Sequence, residues 1–505
     1  MNFRSSNLSK SRFVSGVQCS KKLYFDIYRK DLKPALTASQ EALFNAGHDV
    51  GELAQTLFPN GKDATPINFY DFSLSIENTK KWIQSGEPTI YEAAFLHNGF
   101  LAALDILHHQ NNELWAIEVK SSTSVKDYHI TDASFQYWLM CKDGFTPDKF
   151  FLMHINSQFI KKGAINPKEL FYLEDITEQV KNNLDWVETK APELYKLYTD
   201  KTEPTIKIGT HCNSPFECDY KHHCWAHVPE NSVFELSSAR GKDWELYEEG
   251  IVELKDIPVD LVLNHRQQLQ VNGAKTGVKY IDTASLKTFV DAVEYPLYFF
   301  DFETISTAIP FVDGTKPFQQ LPFQYSLHVV NEQGLIEQHH EFLATPTDFV
   351  NITSKESDPR YQLIQQLKQQ IGPKGNLVVY YSSFEINRFN ELIAAFPEEK
   401  TLITDWINRC VDLIVPFKNA WYYLPAMGGS ASIKDVLPAI APEFSYSELE
   451  IQNGGDASEI YLSMIKNNFK GDAEKTKQNL LKYCERDTEG MVIIWNELLR
   501  VIKEK

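Results

Sequence analysis

Two groups of acidic residues in this chain have the residue types and spacing that bind divalent cations and cleave phosphodiesters. In the first, Asp105 and the pair Glu118 and Lys120 lie on two short apolar runs that predict a β-hairpin. Side chains alternate along a strand, so Glu118 and Lys120 share a face, and a turn near residue 110 would set Asp105 opposite residue 116, diagonal to Glu118. Two carboxylates beside an ammonium can hold a cation and orient a water for phosphodiester hydrolysis. The alternative is a surface hairpin with alternating charges.

The second group is spread over the C-terminal half. Asp301 and Glu303 follow a strand-like apolar run, where the spacing i, i+2 puts both carboxylates on one face. Tyr483 and Asp487 share one face of a strongly helical stretch, and Glu385 follows a strand-to-helix transition between the two motifs. Four carboxylates can hold two divalent ions that stabilise the entering and leaving oxygens of a displacement. A chance pair on a helix surface is the alternative for Tyr483 and Asp487.

Three of the 7 cysteines cluster as Cys-x5-Cys-x5-Cys at Cys212, Cys218 and Cys224. In a reducing compartment such a cluster predicts a metal or iron–sulfur site rather than disulfides. Adjacent histidines leave zinc open as the bound species. Three further cysteines, Cys141, Cys410 and Cys484, are expected to be ordinary small buried residues.

Residues 91–137 resemble the RecB-like branch of the PD-(D/E)xK nucleases, and within it the iron–sulfur exonucleases of AddB and of CRISPR adaptation. The resemblance implies that His48 is a further metal ligand and that Gln136 contacts substrate or positions the lysine. Taken alone, His48 would be an ordinary partly buried histidine and Gln136 an exposed helix residue. The family also implies that Cys19 completes a four-thiolate set for a structural [4Fe–4S] cluster. The cysteine spacing departs from the commoner Cys-x2-Cys-x5-Cys, and zinc or no metal are the alternatives.

Residues 295–505 resemble the DEDDy exonucleases, the proofreading-type branch of the RNase H-like fold. By this resemblance the four carboxylates of the second group hold two divalent ions, and Tyr483 orients the attacking water. This chain has Glu385 where the family usually has aspartate, and Asp412 is the alternative ligand. The stretch 422–434 is similar to an uncharacterised domain found downstream of RecB-like nucleases. Its aromatic residues could stack on bases, but core packing is the preferred interpretation.

At 505 residues the chain is too long for one hydrophobic core, so at least two domains are expected. The pattern predicts an α/β protein in three parts. Residues 1–230 would form a restriction-endonuclease-like PD-(D/E)xK domain with an iron–sulfur cluster, and residues 231–290 a small helical connecting module. Residues 291–505 would form an RNase H-like DEDDy exonuclease domain.

Apolar periodicity predicts that residues 1–95 are mainly helical, with one helix through Ser11–Tyr28 and another through Gln40–Phe58. Further helices are expected near Thr131–Cys141, Ala239–Glu249 and Ala284–Val293. Short apolar runs predict strands at Phe100–Leu107, Leu114–Val119, Phe150–Ile155, Leu297–Glu303, Phe323–Val330 and Leu377–Tyr381.

The formal net charge of −18 argues against a protein that coats nucleic acid through a wholly basic surface. Residues 1–34 nevertheless carry eight basic residues, Arg4 and Lys10 among them, against two acidic ones, a local charge of 8 − 2 = +6. This run is either a phosphate-contacting face or a solvated helix surface. No segment has the roughly 20 apolar residues of a membrane span, and no signal peptide is recognised, so a cytoplasmic location is expected.

Together these patterns predict a dual-site DNA exonuclease that requires Mg²⁺ or Mn²⁺ at both sites. A 3′→5′ polarity is implied for the second site. The substrate would be DNA, single-stranded or with free ends, in DNA repair or in defence against foreign DNA. One alternative makes RNA the substrate of the C-terminal domain, and another is a nucleic-acid-binding scaffold derived from a nuclease. The residues do not identify protein partners.

Overall fold

The computed structural model describes residues 7–444, 446 and 448–504. The chain divides into two compact units, the first ending at His227 and also containing Thr307–Phe318, and the second comprising the remainder. Arg4, counted in the basic run, lies outside the described residues. Both units contain helices and sheets, so the α/β class is confirmed.

The first unit begins with helices and then builds a sheet. Its helices are α1 (Lys10–Gln18), α2 (Ser20–Tyr28), α3 (Ala38–Gln55), α4 (Ser73–Gln84), α5 (Asp127–Lys142), α6 (Pro167–Leu170), α7 (Thr177–Asn182), α8 (Leu184–Asp200) and α9 (Lys221–Cys224). Its strands are β1 (Leu8–Ser9), β2 (Lys62–Asp63), β3 (Thr89–His97), β4 (Phe100–Gln110), β5 (Glu113–Lys120), β6 (Lys149–Ile155) and β7 (Phe171–Asp175).

These strands form one 7-stranded sheet in the order β2-β3-β4-β5-β6-β7, with β1 paired to β4. β3, β4 and β5 make an antiparallel meander, and α5 then connects β5 to its parallel neighbour β6. One core cluster joins Phe135 and Leu139 of α5 to Phe95 and Leu104 of the sheet. A second cluster contains Val50 of α3 together with strand residues. The meander therefore lies between helices, which exclude water from the strands that carry the acidic residues.

The second unit contains a long C-terminal helix. Its helices are α10 (Lys242–Glu248), α11 (His265–Thr276), α12 (Thr283–Asp291), α13 (Pro359–Gln370), α14 (Ser383–Ala395), α15 (Lys400–Asn408), α16 (Val415–Lys418), α17 (Ile433–Ile440), α18 (Gly454–Ile465) and α19 (Ala473–Lys503). Its strands are β8 (Tyr280–Ile281), β9 (Leu297–Ile305), β10 (Leu321–Val330), β11 (Ile336–Leu343), β12 (Asn376–Val379), β13 (Cys410–Asp412) and β14 (Tyr422–Tyr423).

Five of these strands form a sheet in the order β11-β10-β9-β12-β13, and β8 pairs with β14 separately. β10 pairs antiparallel with both β11 and β9. On the other side of β9, β12 pairs parallel with both β9 and β13. Trp495 of α19 is buried in the same core cluster as Phe299 of β9. Tyr422 and Tyr423 are also buried, which agrees with core packing rather than base stacking. The region predicted as a connecting module, residues 231–290, is part of this second unit.

The structure departs from the sequence prediction mainly in the N-terminal region. Ser11–Tyr28 forms two helices rather than one, because Cys19 has an extended backbone with φ −163° and ψ 123°. The interval 1–95 also contains strands, of which β3 is the longest. Most of its residues are buried, so it lacks the alternation that identifies a half-exposed strand. Among the described residues, no helix is both long and apolar enough to cross a bilayer.

Candidate active sites

The hairpin of β4 and β5 places two acidic residues of the first site side by side. Ile106 pairs with Ile117, so the same register sets Asp105 directly opposite Glu118. The predicted register, with residue 116 opposite Asp105, is wrong by two residues. The strands continue to a turn at Asn111 and Asn112, whose φ angles of 54° and 64° suit a type I′ hairpin turn. A shift of two residues keeps every side chain on its face, so the predicted clustering is retained.

A third carboxylate continues this row onto β3. Tyr91 pairs with Ile106 and Ala93 with Leu104, which places Glu92 beside Asp105 across the sheet. Glu92 has a φ of +52°, a left-handed conformation that is uncommon for a residue within a strand. Glu92, Asp105 and Glu118 thus form a row of acidic residues on three adjacent strands. No motif in the sequence points to Glu92, because its place in the row depends on the pairing of β3 with β4.

Lys120 lies between two carboxylates, as a site lysine should. Its Nζ donates to Glu118 Oε1 at 2.7 Å and to Asp132 Oδ2 at 2.9 Å. Gln136 Nε2 donates to the same two residues, at 3.0 Å to Glu118 Oε2 and at 3.3 Å to Asp132 Oδ1. Gln136 is buried, and its Oε1 has no hydrogen-bond partner. The amide therefore contacts both carboxylates that hold the lysine, and Gln136 is buried rather than an exposed helix residue.

Lys10 of α1 supplies a second ammonium that the sequence analysis counted only as part of a basic run. Its Nζ donates to Glu118 Oε1 at 2.9 Å and to Oε2 at 3.2 Å. Lys10 precedes Glu118 by 108 residues, and no local spacing connects the two. By contrast, Asp132 and Gln136 are four residues apart on α5, so helical spacing could have identified Asp132 as a partner.

The three acidic residues of this cluster have different pKa values, because their charged neighbours differ. Burial would raise the pKa of Glu118, but the ammonium groups of Lys10 and Lys120 lower it to about 2. Burial raises the pKa of Asp105 to about 6, and the charge of Glu118 adds to this. The pKa of Glu92 rises to about 8, through burial and then through repulsion by Asp105. Glu118 is therefore a carboxylate at neutral pH, and Asp105 and Glu92 would gain most from an added cation.

His48 is not brought into this cluster. Its side chain is 77% exposed, and its Nε2 lies 3.2 Å from Glu52 Oε1 of the same helix. Val50 and Ala54 of α3 face the core. His48 precedes Val50 by two positions, or about 200° around a helix, so it points away from the face that packs on the sheet.

The four predicted cysteine ligands line one small cavity of the first unit: Cys19, Cys212, Cys218 and Cys224. Gln18 ties the N-terminal segment to the cysteine loop, since its Nε2 donates to His211 O at 2.9 Å and to Phe216 O at 2.7 Å. Burial raises the pKa of the Cys218 thiol to about 11 and raises that of Cys224. Four convergent thiols fit a thiophilic metal or an iron–sulfur cluster, which would hold them as thiolates.

The second site lies where α19 crosses β9. Ligand atoms of Asp301, Glu303 and Cys484 all lie within 4.8 Å of one another. Cys484 was expected to be an ordinary buried residue, and it is fully buried with Sγ 3.9 Å from Asp301 O. Its thiol therefore packs directly against the acidic strand. The other two predicted residues of this helix, Tyr483 and Asp487, lie on the same face of α19 as Cys484.

Burial is the main cause of the raised carboxyl pKa values in the second site, and repulsion between carboxylates adds to it at Asp301 and Glu303. The pKa of Asp301 is raised well above its ordinary value, first by burial and then by the charge of Asp487. The pKa of Glu303 rises to about 8 for the same two reasons. Burial raises the pKa of Asp487 to about 6, although hydrogen bonds and Lys434 oppose the shift. Lys434 is an exposed residue, so it compensates these charges only from the edge. An added cation would favour ionisation of all three carboxyls.

Two tyrosines approach Asp487. Tyr446 Oη donates to Asp487 Oδ1 at 2.6 Å. The hydroxyl of Tyr483 also lies close to Asp487, and the pKa of Tyr483 is raised by burial and by the charge of Asp487. A Cβ atom on Gly454 would lie 3.4 Å from Glu303 Oε2 and 3.8 Å from Tyr483 Oη, so Gly454 leaves room beside both groups. Tyr446 was not identified from sequence, because it lies in an irregular segment without a motif.

Glu385 and Asp412 have different surroundings. Asp412 accepts backbone N–H groups from Tyr381 and Ser382 at 2.9 Å, one on each carboxylate oxygen, and thereby organises the start of α14. Glu385 is buried, its Oε2 has no hydrogen-bond partner, and its charge contributes to the raised pKa of Asp301. Of the two alternatives, Glu385 is therefore the one available to a cation shared with Asp301.

Comparison with known proteins gives relatives whose functions are not described. Residues 298–432 match a family model described as a domain of unknown function, DUF2779. The chain is 30% identical over 208 residues to an uncharacterized protein of Mycoplasma genitalium, covering 39% of this chain and 31% of that protein. It is 26% identical over 270 residues to an uncharacterized protein of Ureaplasma parvum, covering 50% of this chain and 38% of that protein. The chain thus spans about a third of the length of these curated relatives.

Proposed function

We propose that this chain is a metal-dependent nuclease with two separate phosphodiester-cleaving centres, one in each unit. The observation that carries the proposal is the meeting of Asp301 and Glu303 of β9 with α19, where their ligand atoms lie within 4.8 Å of each other and of Cys484 and where the pKa values of Asp301, Glu303 and Asp487 are all raised. Such groups resist sharing a site as anions unless a cation compensates them. Raised carboxyl pKa values in a cluster are a mark of functional sites. Carboxylate oxygens are the ligands that Mg²⁺ and Mn²⁺ prefer.

In the second centre, Asp301, Glu303, Glu385 and Asp487 would hold the divalent ions. Such ions would neutralise the phosphate and stabilise the entering and leaving oxygens. Tyr483 keeps its hydroxyl beside Asp487, where it can position a water for attack. The strand order β11-β10-β9-β12-β13, antiparallel and then parallel, supports an RNase H-like fold. These features favour the DEDDy-type exonuclease, with 3′→5′ removal of nucleotides.

In the first centre, Asp105 and Glu118 would hold the divalent ion, and Lys120 would orient the water. The ammonium of Lys120 is held 2.7 Å from Glu118 Oε1 by its own two carboxylate partners, so it is ready to act without rearrangement. The antiparallel meander β3-β4-β5, followed by α5 and the parallel strand β6, supports a restriction-endonuclease-like core. His48 has no part in this proposal, because its side chain is 77% exposed on another helix face.

A groove beside Lys10 supports a nucleic-acid substrate. It is lined by basic side chains, among them Arg12 and Lys30, and by aromatic residues of the segment before α4, Phe69 and Tyr70. The two aromatic side chains are exposed. Cationic groups that follow a phosphate backbone and aromatic faces that stack on bases are the features of single-strand binding surfaces. We propose DNA as the substrate, and RNA is tested in parallel.

We also propose that Cys19, Cys212, Cys218 and Cys224 hold a [4Fe–4S] cluster with a structural role. All four side chains line one cavity of the first unit, and four thiolates suit such a cluster, with a tetrahedral zinc ion as the alternative. Anaerobically purified protein should contain iron and sulfide and should be brown. Stoichiometric zinc without iron would contradict this part of the proposal.

The cleavage test uses end-labelled single- and double-stranded DNA and RNA with Mn²⁺ or with EDTA. The wild type should release nucleotides only with the metal. Lys120→Ala should remove one set of products and Asp301→Ala the other, whereas a folded double variant should be inactive. Asp291→Ala, an exposed residue of α12, is the matched control. A wild type that binds these substrates without cutting any would leave a nucleic-acid-binding scaffold, and a cut restricted to RNA would change the substrate.

A further inference from the structure

A second group of potential metal ligands lies in the second unit, outside the acidic cluster. His328 of β10 and His339 of β11 are directly paired across the two strands. Their rings stack with centroids 4.3 Å apart and an interplanar angle of 19°. Glu485 of α19 lies beside this pair, with its Oε1 3.7 Å from His339 Nδ1. One ligand atom from each of the three residues lies within 4.8 Å of the other two.

Hydroxyl groups hold both imidazoles in place. Ser326 Oγ lies 3.0 Å from His339 Nε2, and Thr488 Oγ1 lies 2.9 Å from His328 Nδ1. The two hydroxyls also contact each other at 2.7 Å. Each ring therefore uses one nitrogen in a hydrogen bond, and its other nitrogen is the one that can bind a metal. Metal-binding histidines are commonly oriented by a hydrogen bond on the second nitrogen in this way.

We propose that His328, His339 and Glu485 form a binding site for a divalent transition-metal ion such as Zn²⁺. Two imidazoles and one carboxylate are a known three-ligand set for zinc, and they leave a fourth position for water. An ion about 2.0–2.1 Å from each donor would bring the donors to roughly 3.3 Å apart, so binding would draw together three donors that now lie within 4.8 Å of one another. The nitrogen donors distinguish this site from the acidic cluster, whose oxygens suit Mg²⁺ or Mn²⁺.

An ion at this position would join α19 to β10 and β11. Ser326, which orients His339, pairs directly with Asp301 on β9. Thr488, which orients His328, follows Asp487 in α19. The ion would therefore fix the helix that carries Tyr483 and Asp487 against the strands beside Asp301. Its expected role is to stabilise this crossing, and it takes no part in the proposed cleavage.

The test measures zinc stoichiometry in the full-length protein after equilibration with a chromophoric chelator. His339→Ala should bind one zinc fewer than the wild type. The matched control is His340→Ala, because His340 lies on the same strand but on the opposite face, where it contacts Gln338. It should keep the wild-type stoichiometry. Thr488→Val should keep the site but weaken its affinity roughly 10- to 100-fold, the range for losing a residue that orients a ligand.

Thermal unfolding gives an independent measurement. Zinc should raise the Tm of the wild type and of His340→Ala by more than it raises that of His339→Ala, because binding to the folded state stabilises it. Glu485→Gln changes a partly exposed residue and should also lower the affinity without unfolding the protein. Equal zinc stoichiometry and equal Tm shifts in His339→Ala and His340→Ala would overturn the proposal. Asp301→Asn should keep this zinc, so failure of the nuclease proposal and failure of this one are distinguishable.

Discussion

The two acidic clusters differ in how their charges are compensated. In the first unit, Glu118 contacts two ammonium groups, those of Lys10 and Lys120. In the second unit, Asp487 contacts the hydroxyl of Tyr446, and within the part of the chain that the structure describes, the one cation that lowers the pKa values of Glu303 and Asp487 is the exposed Lys434. The difference comes from the side chains around each cluster, which are Lys10 of α1 and Lys120 of β5 in the first unit and the hydroxyl of Tyr446 in the second.

This difference predicts two kinds of dependence on metal. Glu118, with a pKa of about 2, is ionised at neutral pH without any added cation. Glu303, with a pKa of about 8, is largely protonated at neutral pH until a cation compensates its neighbours. We therefore expect protons to compete with metal more strongly at the second cluster than at Glu118.

The largest effect is expected for Asp487→Ala. This change removes a proposed ligand and leaves the remaining metal charge poorly compensated, so 3′→5′ release should fall by roughly 1000-fold or more. Single-turnover release of a 3′-labelled nucleotide measures it, in a Lys120→Ala background that silences the first centre. The control is Glu489→Ala, two residues further along α19. Full activity in Asp487→Ala would mean that this helix does not belong to a catalytic site.

A large effect confined to the first centre is expected for Lys120→Ala. The change removes the ammonium that lies 2.7 Å from Glu118, and loss of such a group typically costs roughly 100- to 1000-fold in rate. The matched control is Lys149→Ala, which removes an exposed ion pair with Asp175 in the same sheet. Cleavage by the second centre should be unchanged. If Lys120→Ala and Asp301→Ala each abolish every product in a folded protein, the two centres are coupled.

A smaller effect is expected for Tyr483→Phe, which keeps the ring and removes one hydroxyl. Because the carboxylates hold the metal, stability and metal binding should survive, and the rate should fall roughly 10- to 1000-fold. Tyr446→Phe is the matched comparison, since Tyr446 donates a hydrogen bond to the same residue, Asp487. We expect Tyr446→Phe to alter the pH profile more than the maximal rate. Equal rates in wild type and Tyr483→Phe would remove this hydroxyl from the mechanism.

The smallest effect concerns stability against pH in EDTA. Glu303 has a folded pKa of about 8 against an ordinary 4.5, so the folded state binds more protons in this interval. Its contribution therefore makes stability fall as pH rises from 4.5 towards 8, and Mn²⁺ should reverse the fall. Glu303→Gln should flatten the slope of Tm against pH in this range.

The contribution of Glu118 to stability depends on pH in the opposite direction. Its folded pKa of about 2 lies below the ordinary 4.5, so its contribution is present above pH 4.5 and is lost as pH falls towards 2. Glu118→Gln should therefore change the Tm at neutral pH, and it should alter the slope between pH 5 and 8 only indirectly, through Asp105, whose pKa the charge of Glu118 raises. A steeper loss of slope in Glu118→Gln than in Glu303→Gln would contradict the contrast between the clusters.

Local periodicity was sufficient to predict which residues share a face when they lie on one strand or one helix. The alternation of a strand predicted that Glu118 and Lys120 share a face, and that Asp301 and Glu303 do so too. Neither inference depends on the neighbouring strands. The hairpin register was wrong by two residues, but the face of Asp105 survived, because an even shift preserves it. Sequence alone therefore determined the main acidic groups and the α/β class.

Only the tertiary structure decided which distant residues join these groups. Lys10 reaches Glu118 across 108 positions of sequence, and Tyr446 reaches Asp487 from an irregular segment. Glu92 joins the first row through strand pairing, which a single strand's pattern does not specify. The rotation of α3 turned His48 outward, because its apolar residues face the sheet. Such contacts depend on long-range packing, and no local spacing encodes them.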